Sequence, residues 1–354
     1  MINTDVISVD ARHPDPGKIQ RAARMLRDGR LVAFPTETVY GLGVHALDRD
    51  AVRRLFDAKG RPADDPLIVH IASIEGLPAL VSDVPDIARV LAGRFWPGPL
   101  TLVMRRGPKV PDEVTAGLDT VAVRVPSHPI AQALIAAAAV PIAAPSANLF
   151  SRPSPTRAEH VMADLGGRID AIIDGGATAL GVESTVIDLT ASPAVLLRPG
   201  AVTLGQLRPV LGDIARPPTR ASEGPMRGPG MLDKHYSPRA PLTLYPGGTP
   251  AVFARLLSDA ASMSASGVRV GLLLTDEERM QLPAGLSCIV RSLGPRAAAE
   301  LIAQRLYAAL RELDEEGVGA ILSTDVPADE GLAGAIHDRL SRAAAGRIVS
   351  APNT

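Results

Sequence analysis

Between residues 211 and 241 the chain loses its hydrophobic periodicity. The run RPPTRASEGPMRGPGMLDKHYSPRAP is rich in Pro, Gly, Ser and Arg, a composition that neither fills a core nor sustains a regular element. It divides 354 residues into two foldable parts and excludes a single continuous core. The expected organisation is a domain over 1–210, a Pro/Gly-rich linker over 211–240 and a second domain over 241–354. Aromatic residues make up only 3 % of the chain, so both cores must be built from Ala, Val, Leu and Ile.

Before the break, apolar runs and helical spacings alternate irregularly. Strands are expected over 5–9, 31–35, 67–71, 100–106, 120–126, 171–176, 184–190 and 194–200. Helices are expected over 17–29, 50–58, 74–81, 84–93, 130–140 and 157–165, with Gly29 as a stop and Asp48 as a cap. Several strands follow one another without a helix. That favours an α/β fold with a twisted mixed sheet over a regular doubly wound repeat. After the break the order is strand 241–246, helix 250–264, strands 268–275 and 287–293, helix 295–316, strand 318–325 and helix 331–345, a smaller Rossmann-like α/β unit.

Composition excludes several classes of function. The formal net charge is −1, which disfavours binding nucleic acid through bulk positive charge, so no stable nucleic-acid binding is expected. The one cysteine, Cys288, rules out an intramolecular disulfide and a cysteine-rich metal site. No apolar run is long enough for a membrane span, and the N-terminus does not read as a signal peptide. A cytoplasmic protein is the expectation.

Four segments place polar groups at the ends of apolar strands, where open α/β sheets hold ligands. PTETVYGLG (35–43) offers Thr36, Glu37, Thr38 and Tyr40 ahead of two glycines, as a binding turn or an ordinary polar loop. Gly41 and Gly43 also fit the loose dinucleotide pattern GxGxxA, which admits a nicotinamide-type reading. In AKGRPADDPLIVHI (58–71), Lys59 and Arg61 flank a glycine, as phosphate ligands or as a basic helix end, and His70 is either a core histidine or a site residue. In TVAVRVP (120–126), Arg124 interrupts an apolar strand and needs either an acidic partner or a bound anion such as a carboxylate. Ser146, Asn148, Ser151 and Ser154 follow nearby. The fourth segment, DGGATALGVESTVIDL (174–189) followed by AVLLRPG (194–200), carries Ser184 and Arg198.

There is no P-loop, no GxSxG elbow and no clustered metal-ligand set. The residues suit a site that grips anions and orients reactants more than one built on a strong nucleophile.

PTETVYGLG, AKGRPADDPLIVHI, TVAVRVP, APSAN, GVESTVIDL and LLRPG occur in the order seen in the YrdC-like threonylcarbamoyl-AMP synthase family, which the chain resembles over about 15–210. PGMLDKHYSPRAP resembles the linker of the long, two-domain form, and over 241–354 the resemblance rests on position and α/β pattern. The resemblance implies synthesis of threonylcarbamoyl-AMP and pyrophosphate from L-threonine, bicarbonate or CO2 and ATP. Magnesium accompanies the ATP, and separate transfer proteins then modify tRNA. Thr38, His70, Arg124, Ala144 and Ser184 would hold threonine. Lys59, Arg61, Asp65, Thr120, Ser146, Ser154, Arg198 and Tyr236 would surround ATP. No metal ligand is assigned. Asp65 departs from the family's Asn: a carboxylate repels phosphate, so it is expected to hold magnesium or a basic neighbour. Leu232, Asp233 and Lys234 depart from the family's linker as well. The segment 225–241 is expected to act as a lid over the nucleotide. The alternative from another class is an RNA-binding module without nucleotidyl transfer.

Overall fold

Helix boundaries follow caps written in the sequence. Asp15 accepts the Lys18 N–H at 2.8 Å and Pro16 opens the helix Pro16–Arg27. Asp48 accepts the Ala51 N–H at 3.0 Å ahead of Arg49–Lys59, and Gly60, with φ of 61°, ends that helix in the left-handed region. The computed structural model describes residues 3–217, 228, 235–326 and 331–349. Its contacts divide the chain into two units, 1–150 with 154–231 and 151–153 with 232–354.

In the first unit the strands are β1 (Asp5–Ser8), β2 (Val32–Pro35), β3 (Tyr40–His45), β4 (Ile68–His70), β5 (Leu100–Arg105), β6 (Thr120–Arg124), β7 (Ile142–Ala143), β8 (Ala171–Asp174), β9 (Thr185–Asp188), β10 (Ala194–Arg198) and β11 (Ile214–Ala215). Among the described residues they form one mixed sheet in the order β1-β8-β2-β3-β7-β4-β6-β5-β9-β10-β11. Alternation separates its faces. Val69, Val121, Val123, Leu102 and Ile187 enter the main core. Ile68, Ala122, Val103, Val186 and Leu197 form a small apolar cluster on the opposite face.

In the second unit β12 (Leu242–Tyr245), β13 (Val270–Leu274), β14 (Cys288–Ser292) and β15 (Ala320–Thr324) form a parallel sheet in the order β12-β15-β13-β14. The helices Pro250–Ala265, Ala299–Glu315 and Leu332–Ala344 connect or follow these strands. No helix of the described residues is long and apolar enough to cross a membrane.

Three expectations need correction. Part of the stretch read as linker is strand: Ile214 and Ala215 pair with β10, because a sheet edge supplies partners that local composition does not reveal. Residues 204–211, read as no element, form a helix capped by a reciprocal Thr203–Gln206 box. The glycines of PTETVYGLG are not loop glycines, since Gly41 and Gly43 lie inside antiparallel β3. A Cβ on Gly43 would sit 2.7 Å from Phe34 Cε1, so this glycine serves sheet packing. The dinucleotide reading, which needs a glycine turn opening a helix, fails with it. Most of the expected lid, 225–227 and 229–234 with Lys234 among them, lies outside the described residues.

Candidate active site

The site grows from the register of five strands. His70 stands across from Arg124 in the β4–β6 pair. One step beyond the Leu102–Val123 pair, Thr101 stands across from Arg124 on the other side. Thr101 faces Val186 in β9, and Val186 faces Arg198 in β10. A single cross-strand row on one sheet face thus carries His70, Arg124, Thr101, Val186 and Arg198. The last of these depends on a register shift between Leu196 and Arg198: β10 carries one extra residue, which brings Arg198 opposite Val186 where Leu197 would otherwise stand.

Arg124 is buried, and an acidic side chain answers its charge. Glu37 Oε1 lies 2.7 Å from Nη2, while Nε donates to the Gly98 carbonyl at 3.2 Å and Nη1 to Thr38 Oγ1 at 3.0 Å. The Thr36 hydroxyl donates to the Val39 carbonyl at 2.7 Å and accepts the Thr38 and Val39 N–H groups, which shapes the turn after β2. With that proton committed, the Thr38 hydroxyl donates to Thr36 Oγ1 at 2.7 Å and accepts from Arg124. The loop after β8 braces the same turn, with Leu180 and Gly181 donating N–H groups to the carbonyls of Glu37 and Thr38.

His70 is buried between the backbones of Ile68 and Ile142, and among the described residues its Nδ1 makes no hydrogen bond of good geometry. Burial, assisted by the Arg124 charge, pushes it down to about 3, so it is neutral at pH 7. Burial also works to raise Glu37, but the attraction and hydrogen bonding of Arg124 outweigh it and hold the carboxyl below its ordinary range.

At the other end of the row Arg198 grips Ser184 twice, Nε to the carbonyl and Nη2 to Oγ, both at 3.1 Å. Ser184 Oγ also lies 2.8 Å from Thr101 Oγ1. Ala144 follows β7, and its N–H donates to the Ile68 carbonyl at 2.9 Å, which sets its backbone beside β4. Ser154 Oγ donates to Glu183 Oε1 at 2.5 Å.

A second group sits at the end of the helix Arg49–Lys59. Lys59 is buried and donates to the Ser146 and Asn148 carbonyls, each at 2.5 Å, so it clamps the turn after β7. Desolvation, with help from the Arg61 charge, drives its pKa well below the ordinary lysine value. Arg61 Nη2 lies 2.9 Å from Asp65 Oδ2 and donates to the Pro66 carbonyl at 3.0 Å. Asp65 therefore holds a basic neighbour, the second of its two expected roles. Among the described residues no group of three or more His, Cys, Asp or Glu side chains converges as a metal site. Glu37 and Asp65 are each engaged by an arginine.

Thr120 opens β6, four residues and about 13 Å from Arg124. It lines a small depression with Pro66, Val103, Ala122 and Gly228. Tyr236 belongs to the second unit, where its buried ring lies 5.5 Å from that of Tyr307 and beneath the Arg339 guanidinium. The site described here stands on the first unit alone. Sequence reasoning missed Glu37 as the partner of Arg124, and Thr101. The only signal for Thr101 is its alternation within LTLVMRR, which puts a hydroxyl on the face opposite the core.

Residues 24–200 match the family described as telomere recombination, and residues 202–345 match the threonylcarbamoyl-AMP synthase C-terminal domain. A threonylcarbamoyl-AMP synthase of Pyrococcus abyssi is 47 % identical over 334 residues, covering 94 % of this chain and 95 % of its own. The chain belongs to the threonylcarbamoyl-AMP synthase family. A Bacillus subtilis member of that family is 47 % identical over 352 residues, covering 98 % of this chain and 97 % of its own. Among solved structures, P. abyssi Sua5 complexed with L-threonine matches with a TM-score of 0.91 at 46 % identity, over 98 % of this chain and 99 % of that one. The synthase fold thus extends across both units' share of the sequence.

Proposed function

We propose that the chain condenses L-threonine, bicarbonate or CO2 and ATP into L-threonylcarbamoyl-AMP and pyrophosphate, for transfer to tRNA by separate proteins. The observation that carries this reading is the sheet row with two buried arginines, Arg124 and Arg198, whose backbone positions stand three strands, about 14 Å, apart. Two arginines on one row can each take an anion. Arg124 takes the threonine carboxylate, with Thr38, His70, the Ala144 backbone and Ser184 around the rest of the amino acid. Arg198, Arg61, Ser146 and Ser154 face the phosphates, with Thr120 toward the far side of the nucleotide. Lys59 and Asp65 act through the groups they hold, the turn after β7 and Arg61.

The threonine ammonium gives up one proton, the amine adds to CO2 and the nitrogen gives up a second, both passing to solvent, which leaves a carbamate. A carbamate oxygen attacks the α-phosphorus, the bond to the bridging oxygen breaks, and pyrophosphate leaves. Such chemistry is accelerated by positioning and charge stabilisation, without a protein nucleophile. Magnesium enters as the companion of the ATP phosphates, and no step is assigned to it.

The test is incubation of the full chain with labelled ATP. Pyrophosphate and a labelled adenylate should form only when threonine and bicarbonate are both present. Turnover independent of threonine would reject the reading.

A further inference from the structure

Glu37 occupies an unusual position for a carboxylate. It is only 8 % exposed and lies 2.7 Å from Arg124 Nη2 in an ion pair, and its own N–H and that of Ser127 also turn toward the carboxylate. A carboxylate has about four acceptor positions, so these donors leave room for another. Arg124 has already committed Nε to Gly98 and Nη1 to Thr38. Nη2 is the donor that an incoming carboxylate would share with Glu37.

The charge balance of the pocket follows from its neighbours. Two other titratable groups among the described residues sense Glu37: His70, from β4, and His128, which caps the helix Pro129–Ala138 through Nδ1. Burial pushes both histidines down, which leaves them neutral at pH 7. Arg124 and Glu37 therefore present one positive and one negative charge side by side. A simple carboxylate brought to Arg124 meets the repulsion of Glu37 almost as closely as the attraction of the guanidinium. An α-amino acid brings a carboxylate and an ammonium about as far apart as the two protein charges.

We propose that Glu37 receives the α-ammonium of the substrate, so that Arg124 and Glu37 together select a zwitterionic amino acid over any other small carboxylate. The ammonium would add a charge-assisted hydrogen bond at the acceptor position that remains. The inference rests on Arg124 being the threonine carboxylate site, and it adds a specificity residue to that site.

The experiment is calorimetric titration of the full chain with L-threonine and with the hydroxy acid in which a hydroxyl replaces the threonine amine. The native chain should bind threonine roughly tenfold or more tighter than the hydroxy acid. Equal affinity for the two would overturn the proposal without any variant. Glu37→Gln should weaken threonine by roughly tenfold and bring the ratio of the two affinities close to one. Glu37→Asp, which keeps the charge on a shorter stem, should keep the preference for threonine at lower affinity, so the proposal stays exposed if the Gln variant folds poorly. A ratio unchanged in a folded Gln variant would overturn it. Absence of threonine binding by the native chain would instead reject the threonine reading of Arg124, a separate failure.

Discussion

Arg198 holds Ser184 at two points, its backbone carbonyl and its hydroxyl, each at 3.1 Å. The first residue belongs to the expected nucleotide side of the site and the second to the expected amino-acid side, so one guanidinium is expected to couple both substrates. Arg198→Ala should raise the KM for ATP and for threonine together. Arg198→Lys should restore the charge but not the two-point grip, recovering ATP affinity more than threonine affinity. Steady-state kinetics with each substrate varied in turn separates the two effects. Equal recovery on both sides would show that charge alone matters.

The Arg61–Asp65 pair sets a second expectation. Both side chains are buried, and the carboxylate would compete for the guanidinium with any phosphate brought to Arg61. Asp65→Asn keeps the shape and removes the competing charge. It should lower the KM for ATP severalfold while costing about 1–3 kcal/mol of stability. Kinetics and urea unfolding of the same preparation check the two halves.

His70 makes stability depend on pH. Its value is about 3 in the fold against 6.5 in the unfolded chain. Below pH 6.5 the unfolded chain takes up a proton that the fold refuses, so this contribution is full above 6.5 and is lost as pH falls toward 3. At pH 5 the loss amounts to about 2 kcal/mol. His70→Asn should therefore flatten the fall in urea midpoint between pH 7 and pH 5. His45 and His128 shift in the same direction and His337 in the opposite one, and the difference between native and variant curves isolates His70.

Gly43→Ala should destabilise the first unit by about 1–3 kcal/mol, because the new methyl meets Phe34 Cε1 at 2.7 Å and Ile142 Cγ2 at 3.0 Å. Gly60→Ala meets no atom within 4 Å, and its cost should come from φ of 61° alone. Comparing the unfolding midpoints of the two variants distinguishes crowding from backbone strain.

Most elements were legible because their signals are local. Asp48 before a helical spacing, the β-branched LIVHI and the alternation of TVAVR each state an element within a few residues. β11 was not legible, since a two-residue strand exists only through its partner β10. The candidate site divides in the same way. Arg124 announced itself as a charge in an apolar strand, and the pairing of Asp65 with Arg61 lies within one local segment. The partner of Arg124 did not, because Glu37 lies far away in sequence and nothing in PTET says which strand will face it. The row from His70 to Arg198 is a property of register, which no single segment contains.

The extra residue in β10 makes side-chain identity there a matter of counting. The connection at 189–193 can change length and leave every ladder in place, as hairpin loops commonly do. Within β10 a gain or loss of one residue would move each following side chain by one rung or across the sheet, like a reading frame. Chains descended from this one are therefore expected to vary freely in the loop while holding constant the number of residues between Val195 and Arg198, whatever those residues are.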